Sequence, residues 1–431
     1  MSRSPRGRQP AVVPSRVLAA SIIFCVTYLF LVGAELPWLK LDRPGAALAG
    51  AVAMVAFGVL TPEQVYKDAV NWDTIALLLG MMILCGAMAE AGVFRFVGWL
   101  ALKRGHSPAQ LLGVLVFVAG GLSALLVNDT VCLMLTPLVL AMVEAASLPA
   151  LPFLLGLAFA SNAGSVATLT GNPQNMLIGT LSGIHYARFA ALSTVPALLA
   201  LFVVLVVLRF AFRAELQPRG PFNVSLEPPK LERVPALLCA ASLVFVIGGF
   251  LLGYSLAWTA MAGAALLLIA LRRPPKAIFA SVDGTLLLFF AGLFVVTHGV
   301  AQVGIAAKLY GYIQTLLGST AEVQTLTFGA FTVVACQIVS NVPFVLLAGH
   351  WIPGMADPQL GWLSLALVST LAGNLTPVAS VANLIVLELA GERGKISFGR
   401  FLKLGALCTF LPLIVALAAL LVERRLGLFG R

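Results

Sequence analysis

The chain has 431 residues, 60% of them hydrophobic and only 10% charged, with a mean hydropathy of +1.01. Soluble domains carry about 25% charged residues, so this composition excludes a soluble enzyme or binding module and describes an integral membrane protein. The net charge of +10 does not argue for nucleic acid, because the basic residues are scattered over short loops in the manner of the positive-inside bias.

Arg3, Arg6, Arg8 and Arg16 precede an apolar run from Val17 to Val32, a pattern shared by signal peptides and signal anchors. No small-residue cleavage site stands out and a second apolar run follows at once, so the first run is expected to be the first transmembrane helix. Spans need about 20 apolar residues, which places them near Val17–Gly33, Gly45–Leu60 and Asp73–Gly92. Phe94–Arg104 is shorter and carries Arg95, Lys103 and Arg104, as an amphipathic helix in the interface would. Pro108–Ala146 reads either as two short spans or as a re-entrant hairpin (about 108–146) with Asn128, Asp129 and Thr130 at its tip. The Asn-Asp pair in mid-run favours the hairpin.

The next apolar segment, about 151–183, is interrupted by SNAGSVATLTGNPQN. A lipid-facing helix cannot carry such a stretch, whereas a helix broken at a protein-lined cavity can. Leu192–Phe212 follows as a span, and the Pro-rich polar segment 213–233 reads as a linker between halves. The second half repeats the layout, with spans near Pro235–Leu252, Tyr254–Leu271 and Gly284–Val303. An amphipathic stretch near Ala306–Leu317, a hairpin at about 323–349, a broken helix at about 362–389 and a span at Phe401–Val422 complete it. Gly80 and Gly292, Gly92 and Gly304, and Asn162 and Asn374 are each 212 residues apart, and Asn128 and Asn341 are 213 apart. The expected fold is therefore an all-α polytopic membrane protein of two repeats, 1–212 and 234–431, each with five spans, a re-entrant hairpin and a broken helix. An odd number of spans inverts the second repeat relative to the first. In this ten-span arrangement the linker side holds 17 of the 27 Lys and Arg residues, which puts the linker 213–233 in the cytoplasm of a multi-pass protein of the cell (inner) membrane, although the arginine-rich N-terminus argues the other way.

The candidate chemistry sits at the interruptions. Asp129 is an ionisable residue inside a membrane segment, which marks an ion or proton path by default; it can equally serve as a cap for the helix that follows it. Asn128, Asn162, Asn172, Asn175, Asn341, Asn374 and Asn383 offer both donors and acceptors. Thr130, Ser161, Thr168, Thr170, Ser340, Thr376 and Ser380 add hydroxyls, and Gly164 lies among them. Free carbonyls at a break can ligate a small cation, and helix N-termini can hold an anion. No Arg or Lys falls in these segments, so a dianion would lack a fixed cationic partner. The six cysteines lie in apolar runs without CxxC spacing, and the four histidines form no metal-binding pattern. No cofactor is expected beyond a sodium ion at the hairpin tips. No nucleophile–base or metal constellation for an intramembrane enzyme is visible, so an enzyme is not expected.

The segments NDTVCLMLTPLV, SNAGSVATLTGNPQN, SNVPFVLL and GNLTPVASVANLIV resemble the ion transporter superfamily, which includes arsenite permeases, citrate and dicarboxylate transporters and some sodium/proton antiporters. The resemblance implies inverted repeats with sites at the hairpin tips, Asn128-Asp129 and Ser340-Asn341, and in the loops Asn162–Asn175 and Asn374–Asn383. It also implies a homodimer as a state to test. The dicarboxylate branch resembles Ser-Asn-Thr at both tips; here the tips read Val127-Asn128-Asp129 and Ser340-Asn341-Val342, closer to the arsenite permease branch. The expected function is secondary active transport of a small anion or arsenite by alternating access, coupled through Asp129 to protons or sodium. A sodium/proton antiporter and a sodium-coupled di- or tricarboxylate transporter stay open as alternatives. The partners expected are the lipid bilayer and a small anion, metalloid or cation.

Overall fold

The computed structural model describes residues 14–31, 41–103, 105–217 and 227–429, and among these residues it is helical with no strand. The central part of the linker, 218–226, lies outside them, as do Arg3, Arg6, Arg8, Lys40, Arg104 and Arg219. The first half runs through α1 (Pro14–Leu31), α2 (Arg43–Ala56), the short α3 (Pro62–Gln64), α4 (Trp72–Glu90) and α5 (Val93–Leu102). It continues through α6 (Pro108–Leu125), α7 (Asn128–Ala145), α8 (Leu151–Ser165), α9 (Pro173–Ser182) and α10 (Tyr186–Ala211). The second half repeats this order as α11 (Arg233–Leu251), α12 (Leu256–Leu271), α13 (Lys276–Ala280), α14 (Gly284–Gln302) and α15 (Ile305–Leu317), then α16 (Ala321–Val339), α17 (Asn341–Ala348), α18 (Pro358–Ala372), α19 (Val381–Ala390) and α20 (Phe398–Arg425).

The polytopic all-α fold with two five-span repeats follows from this order. The spans are α1, α2, α4, α8 with α9, and α10, then α11, α12, α14, α18 with α19, and α20. The pairs α6–α7 and α16–α17 are the hairpins. In the second hairpin the return arm α17 has eight residues, about 12 Å of helix, far short of the roughly 30 Å hydrocarbon core. In the first hairpin α7 is long enough to cross by length alone. Its tip, however, is tied to the break between α8 and α9: the Asn128 N–H donates to the Gly171 carbonyl at 2.9 Å. The tip therefore stops level with the break. Each span is joined to its amphipathic helix by a tight turn at Gly92 or Gly304, both at φ +80, a conformation that costs glycine nothing and other residues about 1 kcal/mol or more.

The chain divides into two compact units, Met1–Asn71 with Thr285–Thr315, and Trp72–Gly284 with Leu316–Arg431. Each mixes the two halves. In the smaller unit Gly292 of α14 lies against the backbone of Ala47 in α2, where an added Cβ would be 2.7 Å from the Ala47 carbonyl carbon. In the larger unit Gly80 of α4 lies against the backbone of Ala260 in α12, where a Cβ would be 2.8 Å away. The third span of each half is thus packed on the second span of the other.

Three expectations change. The span expected from Leu192 begins at Tyr186, because His185 and the Tyr186 backbone already enter the helix and Tyr186 buries its ring against Phe250. The breaks are narrower than the polar stretches that announced them: α8 stays helical through Ser165, and α19 is helical already from Val381. The repeat spacing of 212 to 213 holds from the second span through the hairpins and again at the last span, but not for the first spans, α1 and α11, which begin 219 apart, nor for the broken helices, where α9 and α19 begin at Pro173 and Val381, 208 apart. The shorter return arm α17 removes the difference. Asn162 and Asn374 are therefore not equivalent positions, and Thr370 is the counterpart of Asn162.

Replacing Gly80 by Val forces a side chain into the α12 backbone. A loss of about 1–3 kcal/mol is expected, read as a lower melting temperature of the purified protein. Gly121→Ala, with open space around the new methyl, should leave it unchanged.

Candidate functional site

The polar residues of the breaks and of the first hairpin tip converge on one side chain in the larger unit. Asn162, in the last turn of α8 and 2% exposed, accepts at Oδ1 from Asn128 Nδ2 at 3.1 Å and from the Ser380 hydroxyl at 3.1 Å. Its Nδ2 donates to Asn374 Oδ1 at 2.9 Å and to Asn383 Oδ1 at 3.4 Å. A carboxamide has two donors and two lone-pair sites, so Asn162 is saturated. It joins the first hairpin tip and both breaks. Ser161 donates to the Asn128 carbonyl at 3.1 Å and meets the Ser123 hydroxyl at 2.9 Å, and Gly164 lies directly on the backbone of Gly120, leaving no room for a side chain.

The breaks free backbone carbonyls, and asparagines satisfy them in the same way twice. Asn175 Nδ2 donates to the Ser165 and Thr168 carbonyls at 3.2 and 2.9 Å. Asn383 Nδ2 donates to the Gly373 and Thr376 carbonyls at 2.8 and 3.2 Å. These four carbonyls match at a spacing of 208. Asn172 caps α9 by accepting from the Asn175 N–H at 2.8 Å, with Pro173 at the first helical position. Its Nδ2 reaches Ser165 Oγ at 2.8 Å and Thr370 Oγ1 at 3.3 Å.

The hairpins grip the breaks by a second matched pair. The Thr168 hydroxyl donates to the Ala124 carbonyl in α6. In the other half the Thr376 hydroxyl donates to Gln337 Oε1 in α16 at 2.9 Å, and Gln337 Nε2 donates to the Ala372 carbonyl at 2.9 Å. Thr170 meets the Tyr186 hydroxyl at 3.3 Å. Asn374 turns its Nδ2 to the Cys408 carbonyl at 3.3 Å. The return helix α7 packs against α19, and α17 packs against α9, so each hairpin rests on the broken helix of the other half.

Four helix N-termini therefore end at the breaks and tips: those of α7, α9, α17 and α19. Their dipoles place partial positive charge there. Two buried oxygens in this region have no hydrogen-bond partner, Asn128 Oδ1 and Asn175 Oδ1. The orientation of both amides is fixed, since each Nδ2 donates to an oxygen. Asp129 lies in the first turn of α7, half-buried, and accepts no hydrogen bond from a described residue. The carboxylate of Asp283 is near enough to act on it through charge. Thr130 meets the thiol of Cys85. No Lys or Arg occurs between Gly105 and Ala187 or between Leu309 and Glu392.

The predicted residues do not all join one constellation. At the second tip, Asn341 turns its Oδ1 onto its own Val342 N–H at 2.9 Å and the Ser340 hydroxyl at 3.4 Å, and makes no hydrogen bond to Asn128 or Asn162. Ser340 is held at φ +68, ψ 162, a region that is essentially glycine's and costs other residues about 1–3 kcal/mol. Sequence reasoning missed Ser123, Ser165, Gln174, Gln337 and Thr370. Gln174 donates to Thr370 Oγ1 at 3.2 Å. Only a repeat frame of 208 would have drawn Thr370 out.

Known proteins share this architecture and sequence. The profile of the CitMHS family, described as citrate transporter, matches residues 28–372. A Dictyostelium discoideum protein named as the transporter arsB is 27% identical over 93% of this chain and 90% of its own length. The silicon efflux transporter LSI3 of Oryza sativa is 29% identical over 87% of this chain and 90% of its own. Among solved structures, the YdaH transporter of Alcanivorax borkumensis, described as having an unusual topology, superposes with a TM-score of 0.58 at 16% identity over 96% of this chain and 99% of its own. That likeness speaks for the fold alone.

Asn162→Ala removes four hydrogen bonds and orphans their buried partners, each worth about 1–3 kcal/mol. A marked fall in melting temperature and in monodisperse yield is expected. Ser340→Gly relieves the backbone at the second tip and should raise the melting temperature, by the equivalent of about 1 kcal/mol or more.

Proposed function

The chain belongs to the CitMHS citrate transporter family and is a membrane transporter; from that premise we propose secondary active transport of a small, weakly charged oxo species by alternating access, with a metalloid hydroxide of arsenite type ahead of a carboxylate. Asp129 couples the cargo to a proton or sodium gradient. Asn128 and the helix starts at the two breaks line the path.

One observation carries the choice of cargo. The unused polar atoms at the first tip and its break are acceptor oxygens, Asn128 Oδ1 and Asn175 Oδ1; Asp129 follows Asn128 at that tip, and neither site segment holds a Lys or Arg. A multiply charged carboxylate would meet like charge from Asp129 and have only helix dipoles in its favour. A hydroxylated neutral species donates to the oxygens and accepts from the free N–H groups of a helix start. The names of the arsB and silicon efflux relatives agree with such a cargo.

The same oxygens also suit a bare cation, which supports a second reading, sodium/proton antiport with Asp129 binding both ions and no further cargo. In either case the surplus of Lys and Arg on the linker side supports a cytoplasmic linker in the cell membrane.

Proteoliposomes with imposed pH or sodium gradients decide among these readings. Arsenite flux is expected to exceed citrate, succinate and sulfate flux, and Asp129→Asn is expected to lower gradient-driven flux by about tenfold or more, the factor for losing roughly 1.4 kcal/mol of coupling. Undiminished gradient-driven flux in Asp129→Asn would remove the coupling role. Citrate outrunning arsenite would overturn the cargo, and sodium-for-proton exchange without any cargo would establish the antiporter.

A further inference from the structure

The two halves treat one arginine differently. Near the C-terminal end of α20, Arg424 reaches the start of α16, where Nη1 pairs with Glu322 at 2.7 Å, and Nε pairs with Asp357, the N-cap of α18, at 2.7 Å. Near the C-terminal end of α10, three residues before the position that corresponds to Arg424 at the 212 spacing of these two helices, Arg209 reaches the start of α6. There the second helical position is Ala109 rather than Glu322, and the N-cap of α8 is Ala150 rather than Asp357. Both carboxylates are missing. Arg209 donates from Nε and Nη2 to a single carbonyl, that of Ala109, at 3.2 and 2.9 Å. Its remaining N–H groups have no partner among the described residues, although a guanidinium has five.

The arginine stands at the head of a groove. A cavity of about 780 Å³ opens beside α5, α6 and α10, within the 300–1,000 Å³ that holds a small ligand. His106, Gln110 and Arg209 form its polar end. The guanidinium lies over Gly113, where a Cβ would come within 2.8 Å of Nη2. Below it the wall is apolar: Leu100, Val114, Phe117, Val118 and Leu205. From Gln110 to Val118 the groove follows α6 for about 12 Å. Phe117 is 43% exposed into it. Arg209 lies four residues before the connection 213–233, and the exposed Lys103 lies at the end of α5, so this end belongs to the membrane face richer in basic residues.

We propose that this groove is a binding site for one anionic phospholipid, with the headgroup phosphate on Arg209 and an acyl chain along the apolar wall of α6. The lipid phosphate supplies at Arg209 the negative charge that Glu322 and Asp357 supply at Arg424. Basic pockets beside membrane helices hold acidic headgroups for this reason, and an apolar wall below the charge selects a lipid over a free ion. The site is independent of the cargo.

The test uses the full chain, delipidated in detergent and titrated with phosphatidylglycerol, phosphatidylcholine or inorganic phosphate, read by native mass spectrometry and thermal melting. One retained phosphatidylglycerol and a raised melting temperature are expected, with neither effect from phosphatidylcholine or inorganic phosphate. Arg209→Gln should weaken phosphatidylglycerol retention about fivefold, the effect of one basic residue at a membrane surface. Val118→Trp, which fills the groove and keeps the charge, should weaken it as well, and Arg424→Gln should leave it unchanged. Retention equal to wild type in both groove variants overturns the site. So does phosphatidylcholine binding as well as phosphatidylglycerol, inorganic phosphate giving the full thermal shift, or a dimer mass that Arg209→Gln dissolves with no lipid bound.

Discussion

A helix broken inside a bilayer releases carbonyl and N–H groups that lipid cannot satisfy, at several kcal/mol for each group left alone. Everything at the centre of this protein follows from meeting that demand with side chains. Asn175 and Asn383 each bridge two released carbonyls across their own break. Thr168 and Thr376 tie the breaks to the hairpins. Asn162 then locks the first tip to both breaks with all four of its hydrogen-bonding positions. Most of the asparagines are consumed in holding backbone, and what is left over becomes informative. The leftovers are Asn128 Oδ1, Asn175 Oδ1 and the carboxylate of Asp129.

The interruptions were legible because polarity in an apolar run has few tolerated causes, and the half-to-half repeat was legible because glycines at close helix contacts recur. Gly80 and Gly292 mark such contacts. The partner of each contact was not legible: nothing in a span says that it will pack on the other half, since that is settled by tertiary fit. Nor could length decide the first hairpin, where α7 is as long as a span and only the bond from Asn128 to Gly171 places its tip. The equivalence of Asn162 and Asn374 failed for a different reason. A marker matched by residue type and a fixed spacing assumes no deletion between the hairpin and the break, and the short α17 is such a deletion. Gln337, Gln174 and Thr370 stayed hidden because they carry no signal of their own beside a break.

Equivalent positions that serve the backbone keep their identity between halves: Asn175 and Asn383, Thr168 and Thr376, Gly92 and Gly304. Equivalent positions at the two hairpin tips do not. Asp129 at the first tip corresponds to Val342 at the second, and the relaxed N-terminus of α7 corresponds to the strained entry into α17 at Ser340. The scaffold is twofold and the chemistry is single.

The same asymmetry explains how a repeated fold can meet two unlike membrane faces. An inverted repeat puts corresponding helices on opposite sides of the bilayer, so Arg209 and Arg424, three residues out of register in the aligned helices α10 and α20, reach corresponding helix starts in different surroundings. Arg424 is closed off by Glu322 and Asp357. Arg209 is left with one carbonyl and a groove. At the start of α8, Ala150 replaces a capping carboxylate such as Asp357 and gives no side-chain cap, and among the described residues the Arg209 guanidinium meets one carbonyl and no carboxylate.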